Sequence, residues 1–127
     1  VIPGGFGAAK NLSSYAFDGP KCKVHPDVAK AIKDMHACGK PIGALCIAPV
    51  LVAKVLGKVS LTIGDDQATA DNLVAMGATH VPTSHGQIAI DRENKIVTTP
   101  CYMLNSRVDQ VAEGADNLIR AMLEMMA

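Results

Sequence analysis

Residues 39–57 read GKPIGALCIAPVLVAKVLG. Pro41 to Cys46 is a short apolar run without polar alternation, the pattern of a strand buried on both faces. From about Ala48 to Leu56 the apolar residues continue as a helix, with Pro49 in the first turn, where its missing N–H is tolerated. Buried strands alternating with helices build a layered α/β sheet, so this junction decides the fold class. It also poses a chemical alternative. Cys46 is either a small buried thiol, the common state of a free cysteine, or a nucleophile presented on a tight strand-to-helix turn.

The alternation continues on both sides. His25-Pro26-Asp27 starts a helix in which Val28, Ala31, Ile32 and Met35 recur at helical spacing, and Gly39-Lys40-Pro41 ends it. VSLTI (59–63) is the next strand, and Gly64-Asp65-Asp66 leads into a helix over about Ala68 to Met76, closed by Gly77. Asp65 and Asp66 read as capping residues. QIAID (87–91) and KIVTT (95–99) flank Arg92-Glu93-Asn94, a turn composition that predicts an antiparallel hairpin. The last 20 or so residues form an amphipathic helix with Val108, Val111, Ala112, Ala115, Leu118, Ile119, Met122 and Met126 on one stripe. Before these elements, VIPGG reads as the end of a buried strand entering a glycine turn, followed by a loop with one helical turn around Leu12 to Ala16. No internal repeat or linker divides the 127 residues. They read as one unit with a mostly parallel sheet and a small hairpin. Because Val1 opens directly on a strand end, we expect this unit to be the later portion of a longer domain whose first part is missing.

Composition narrows the function classes. With 49% hydrophobic residues and a mean hydropathy of +0.21, the chain carries enough apolar material for a core. Twelve basic and twelve acidic residues cancel, so no net field favours a nucleic acid or an anionic membrane as partner. The longest apolar stretch, Ile42 to Ala53, is too short to span a bilayer and contains Pro49. The four cysteines, in a core-rich chain of this size, read as reduced thiols rather than as a disulfide framework.

Ligands of open parallel sheets sit beyond the carboxyl ends of the strands. Two loops there have unusual content. Pro3-Gly4-Gly5-Phe6-Gly7 can turn backbone N–H groups toward an anion or oxyanion, or can be a plain turn. It lacks the Gly-Lys-Ser/Thr of a nucleotide loop, and Lys10 stands where a dinucleotide fingerprint needs glycine. At Cys46 a helix N-terminus would stabilise negative charge on sulfur. The Ile47 N–H, together with one from Gly4-Gly5, would bind an oxyanion if the two strands are neighbours. Cys22 and Cys38 read as bystanders. With His25 and His36 they form C-x-x-H and H-x-C, but residues two apart on a helix diverge by about 200°, so a metal is not expected. Cys101, after Thr98-Thr99-Pro100, either packs beneath the last helix or lines the same cleft. His80 and His85 are possible bases that no spacing selects.

Three segments in register, IPGGFGAAKNLS, GKPIGALCIAP and NKIVTTPCYML, resemble the ElbB-like (enhancing lycopene biosynthesis protein) family. That family lies in the PfpI/ThiJ-like branch of the class I glutamine amidotransferase-like superfamily. The resemblance covers essentially the whole chain. It implies a flavodoxin-like three-layer sandwich, a homodimer, Cys46 as nucleophile, and Gly4, Gly5, Phe6 and Ile47 as the oxyanion and substrate-binding residues. It further implies that residues 1–127 are the C-terminal portion of the domain, the family's acid/base glutamate lying in strands before Val1. Superfamily peptidases and amidotransferases place a histidine beside or partnering the cysteine, whereas Ile47 follows Cys46 here, which argues against their chemistry. The activity implied is cofactor-independent conversion of small 2-oxoaldehydes such as glyoxal to 2-hydroxy acids. The alternative is a redox- or stress-sensing or interaction protein in which Cys46 is oxidised rather than turning over. The location implied is cytoplasmic for a bacterial member and mitochondrial for a eukaryotic one.

Overall fold

The computed structural model describes residues 1–127. Its helices are α1 (Phe6–Lys10), α2 (Tyr15–Asp18), α3 (Pro26–Ala37), α4 (Pro49–Leu56), α5 (Gln67–Ala75) and α6 (Val108–Met126). Its strands are β1 (Ile42–Leu45), β2 (Ser60–Leu61), β3 (Thr79–His80), β4 (Ala89–Asp91) and β5 (Ile96–Thr99). Single 3-10 turns cover Gly19–Lys21 and Cys101–Met103.

The central sheet has the order β1-β5-β4, with β1 and β5 parallel and the β4–β5 hairpin antiparallel. Ile2 extends it on the far side of β1 through a parallel bridge to Ala44. The Ile2 N–H donates to the Gly43 carbonyl, and the Leu45 N–H to the Ile2 carbonyl. A separate parallel pair, β2 with β3, is joined to the central sheet by side chains. The Ser60 N–H donates to the Asp91 carboxylate at 2.8 Å, and the Thr62 N–H to the Thr98 hydroxyl at 3.0 Å.

Alternation along the central strands sends side chains to two layers of helices. Ile42, Ala44 and Ile96 face a core built with Ile32 of α3, Val50 to Ala53 of α4, and Leu73 of α5. Val97 faces Leu118, Ala121 and Met122 of α6. Each such buried Val, Leu, Ile or Met side chain contributes about 1.5–3 kcal/mol relative to exposure. Gly43 points at α6, and a Cβ there would lie 2.8 Å from Leu118 Cδ2, so its lack of a side chain lets the helix lie close on the sheet. Helices on both faces of a mostly parallel sheet with a hairpin are the three layers expected.

The first 25 residues differ from expectation. The glycine-rich loop is largely helical, with α1 starting directly after Gly5, and the expected turn at Leu12–Ala16 falls on α2 instead. Ala8 and Ala9 are buried, and packing one face of α1 against the core offsets its poor intrinsic helix formation. VIPGG contributes one bridging residue rather than a strand. β3 was not evident either, because two residues carry no readable period and its pairing is set by β2.

Candidate active site

β1 ends at Leu45, and Cys46 turns the chain with φ 61 before α4 begins at Pro49. That left-handed conformation is unfavourable for a residue with a Cβ and is tolerated where the surroundings impose it. Here the Cys46 N–H donates to the Thr99 carbonyl at 3.0 Å and the Ala48 N–H to the Leu45 carbonyl at 3.0 Å. The turn is thus fastened to the end of β5 and closed on itself. Cys46 is half-buried.

Gly4 and Gly5 arrive on the other side of β1. A Cβ on Gly4 would stand 2.4 Å from Cys46 Cβ and 3.4 Å from Cys46 Sγ, so only glycine allows this approach. Gly5 has φ 105 and leads into α1. Neither the Gly5 nor the Ile47 N–H donates to another backbone group, which leaves both amides available beside the thiol. These are the two donors that the family resemblance implies for an oxyanion, and the bridge from Ile2 to Ala44 of β1 brings their segments together.

A cavity of about 320 Å³ opens over Cys46 and is lined by Gly5, Phe6, Ala9, Tyr15, Ala16, Ile47 and Met103 as well. It is largely apolar, and Phe6, 70% exposed, stands at its rim. Sequence reasoning missed Tyr15, Ala16 and Met103, which lie on α2 and the 3-10 turn after β5. Tyr15 is positioned by a hydrogen bond that its hydroxyl accepts from Asn72 Nδ2 at 2.9 Å. No histidine or carboxylate lines this cavity.

The histidines are engaged elsewhere. His25 caps α3, its Nδ1 accepting from the Asp27 N–H, and His36 Nε2 bonds Asn94 Oδ1 at 3.0 Å. His80 Nε2 accepts from the Ile63 N–H at 3.4 Å, and burial lowers its pKa, which favours the neutral ring. His85 Nδ1 lies 2.6 Å from Ser106 Oγ on the surface. Asp66 caps α5, its carboxylate accepting from the N–H and hydroxyl of Thr69; these bonds hold its pKa below the usual range. Cys22 is buried and its thiol pKa is raised by that burial, whereas Cys38 is exposed. Cys101 is buried beside the site, at the end of β5. No three His, Cys, Asp or Glu side chains converge as metal ligands, and no helix is long and apolar enough to cross a membrane.

No family model matches the chain. Over 98% of its length it is 42% identical to the human glutamine amidotransferase-like class 1 domain-containing protein 3, mitochondrial. It is 40% identical to the rat ES1 protein homolog, mitochondrial, and 30% identical to the zebrafish ES1 protein, mitochondrial. The chain covers 50%, 50% and 52% of these proteins, so it spans about half the length of the curated relatives it matches. Among solved structures it superposes on an isoprenoid biosynthesis protein with amidotransferase-like domain from Ehrlichia chaffeensis, with TM-score 0.83 and 32% identity over 95% of this chain and 56% of that one. The Rapid Encystment Protein 24 kDa of Francisella tularensis shares the fold at TM-score 0.62 and 17% identity, over 89% of this chain and 54% of that one. Similar in sequence along nearly its whole length to the first group, and in fold to both structures, the chain is a homologue of about half of the class 1 glutamine amidotransferase-like and ES1 proteins, in line with the resemblance to the ElbB-like group.

Proposed function

We propose that the full-length protein is a cofactor-independent, glyoxalase-like enzyme in which Cys46 is the nucleophile. The observation that carries this reading is the turn at Cys46, strained at φ 61 and approached so closely by Gly4 that no other residue fits. Such strain, held in place by surrounding hydrogen bonds, clusters where a side chain must be presented to a substrate.

In this mechanism the Cys46 thiolate adds to the aldehyde carbon of a small 2-oxoaldehyde and gives a hemithioacetal. The Gly5 and Ile47 amides stabilise the oxyanion as it forms. An acid/base group then moves the proton from that carbon to the neighbouring one, leaving a thioester of the 2-hydroxy acid. Water attacks the thioester, the acid departs, and the thiol is restored. The cavity, small and apolar, suits a short aldehyde. Because no histidine or carboxylate lines it, the acid/base is assigned to the part of the full-length protein outside these residues. A homodimer belongs to the same proposal, as does a mitochondrial location if the source is eukaryotic, as in the names of the human and rat relatives.

The test is Cys46→Ser in the full-length protein, assayed for glycolate from glyoxal. Turnover is expected to disappear, and undiminished turnover would overturn the reading. Light scattering of the full-length protein tests the dimer, and a monomer at all concentrations would remove it.

A second reading, a redox-sensing or interaction protein without turnover, is favoured by the cavity's lack of an acid/base side chain. It expects peroxide to add oxygen to Cys46 in a protein with no measurable aldehyde turnover.

A further inference from the structure

β1 and β5 are adjacent and parallel, with Leu45 opposite Thr99. Cys46 lies one residue beyond this pair and Cys101 two beyond it. The hydrogen bond from the Cys46 N–H to the Thr99 carbonyl holds the two chain ends together past the last ladder rung. Neighbouring strands run about 4.8 Å apart, and disulfides join residues whose Cα atoms are about 4.4–6.8 Å apart. This register brings the two cysteines to the same end of the β1–β5 pair, near the separation a disulfide requires.

Both cysteines leave their strands through the left-handed region, Cys46 at φ 61 and Cys101 at φ 48. Lys95, in the hairpin turn, is the third non-glycine residue in that conformation. The two sulfurs differ in access. Cys46 lines the cavity and meets small molecules from solvent. Cys101 is 8% exposed and lies near enough to Cys46 for the charge on one thiol to affect the other. Burial first, and the nearby Cys46 second, push the Cys101 thiol pKa up, so it is held protonated and shielded from direct oxidation. Cys22, the other buried cysteine, lies in a different part of the core, beside Val24, Ala29 and Lys54.

We propose that Cys46 and Cys101 form a reversible redox couple, in which a hydroperoxide oxidises Cys46 and Cys101 then closes on it as a disulfide. In the first step the Cys46 sulfur attacks the peroxide oxygen, the O–O bond breaks, and Cys46 becomes a sulfenic acid as water or an alcohol departs. In the second, the Cys101 sulfur attacks the Cys46 sulfur, the S–S bond forms and the S–O bond breaks. The Cys101 proton leaves with the oxygen as water. The two thiols supply the two electrons that reduce the peroxide, and a dithiol reductant reverses the bond. The linkage removes Cys46 from any nucleophilic role while protecting it from irreversible sulfinate. This couple does not depend on aldehyde turnover.

The full-length protein, carrying Cys38→Ser so that peptide 34–54 holds Cys46 alone, is treated with one equivalent of hydrogen peroxide. It is then alkylated and digested with trypsin without reductant. Peptides 34–54 and 96–107 are expected to appear linked, with loss of two hydrogens, and to separate on reduction. In Cys101→Ser that linkage is lost, and Cys46 is instead captured as the dimedone adduct of its sulfenic acid when dimedone is present during the peroxide treatment. Cys101→Gly, which suits the positive φ, repeats the comparison if the serine variant fails to fold. Cys46 sulfinate in the parent protein with no linkage would overturn the proposal. So would a linkage through Cys22, or a thiol pair left unoxidised.

Discussion

Cys46 and Gly4 form one unit, because the strain of the first is made possible by the missing side chain of the second. Gly4→Ala would put a Cβ 2.4 Å from Cys46 Cβ and 3.0 Å from the Leu45 carbonyl oxygen, and neither can retreat without moving backbone. Overpacking of this kind costs about 1–3 kcal/mol, so chemical denaturation of Gly4→Ala is expected to show a loss in that range. The cavity would be displaced with it. The φ of 61 at Cys46 gives a second expectation. A left-handed residue with a Cβ costs about 1 kcal/mol more than glycine, so Cys46→Gly is expected to be more stable than Cys46→Ala by roughly that amount in urea melts. Equal stabilities would mean that the turn relaxes once sulfur is gone.

Among the elements, α6 and the β2–hairpin junction each depend on a close polar contact that a substitution can probe. Gly114 of α6 lies against Thr99, and a Cβ there would come 2.5 Å from the Thr99 hydroxyl. That hydroxyl donates to the Gln87 carbonyl at 2.9 Å. Alanine in a helix gains about 1 kcal/mol over glycine, but the clash costs about 1–3 kcal/mol and the displaced hydrogen bond about 1 kcal/mol more. Gly114→Ala is therefore expected to lower the thermal midpoint. At the other junction the Asp91 carboxylate accepts from the Ser60 N–H and from the N–H and side-chain amide of Asn94. Burial opposes its charge, yet these donors outweigh it and the pKa falls below the usual carboxylate range. With the folded pKa below the unfolded one, the stability it contributes is present above the unfolded pKa and lost as pH falls through the folded pKa. Asp91→Asn is expected to flatten the acid limb of a stability–pH curve. Elements with a strong local signal, such as α3, the hairpin and α6, were legible in the sequence. α1 was not, since glycine-rich FGAAK is helical only because Ala8 and Ala9 find a core to pack on. The two-residue strand β3 exists through a partner distant in the chain.

For the whole molecule, the layered sheet could be read because alternation of buried strands and helices admits few arrangements. The candidate site could be read only in part. The Cys46 turn and the Gly4-Gly5 loop carry local patterns, and strand adjacency brings them together. Tyr15 and Met103 carry none, being delivered to the cavity by long-range packing. Charge is distributed so that long-range electrostatics contribute little. The net charge is zero, and the three ion pairs, Lys30–Asp34, Arg107–Asp109 and Arg120–Asp116, are all exposed. Such pairs contribute little and are screened by salt. The thermal midpoint is accordingly expected to vary little with sodium chloride concentration at pH 7, and a steep dependence would point to a charge network that these pairs do not form.

Ile2 holds the glycine loop on the sheet with two backbone hydrogen bonds, to Gly43 and from Leu45. Within residues 1–127, a segment joined to the sheet by a single bridging residue opens more often than the buried strands it borders. Each opening would carry the Gly5 amide away while Cys46 stays fastened to Thr99. The Leu45 amide proton is the reporter of that event. Its exchange with deuterated solvent should be faster than that of the Cys46 amide, and a molecule filling the cavity should slow it first, so that occupancy could be timed without any chemistry taking place.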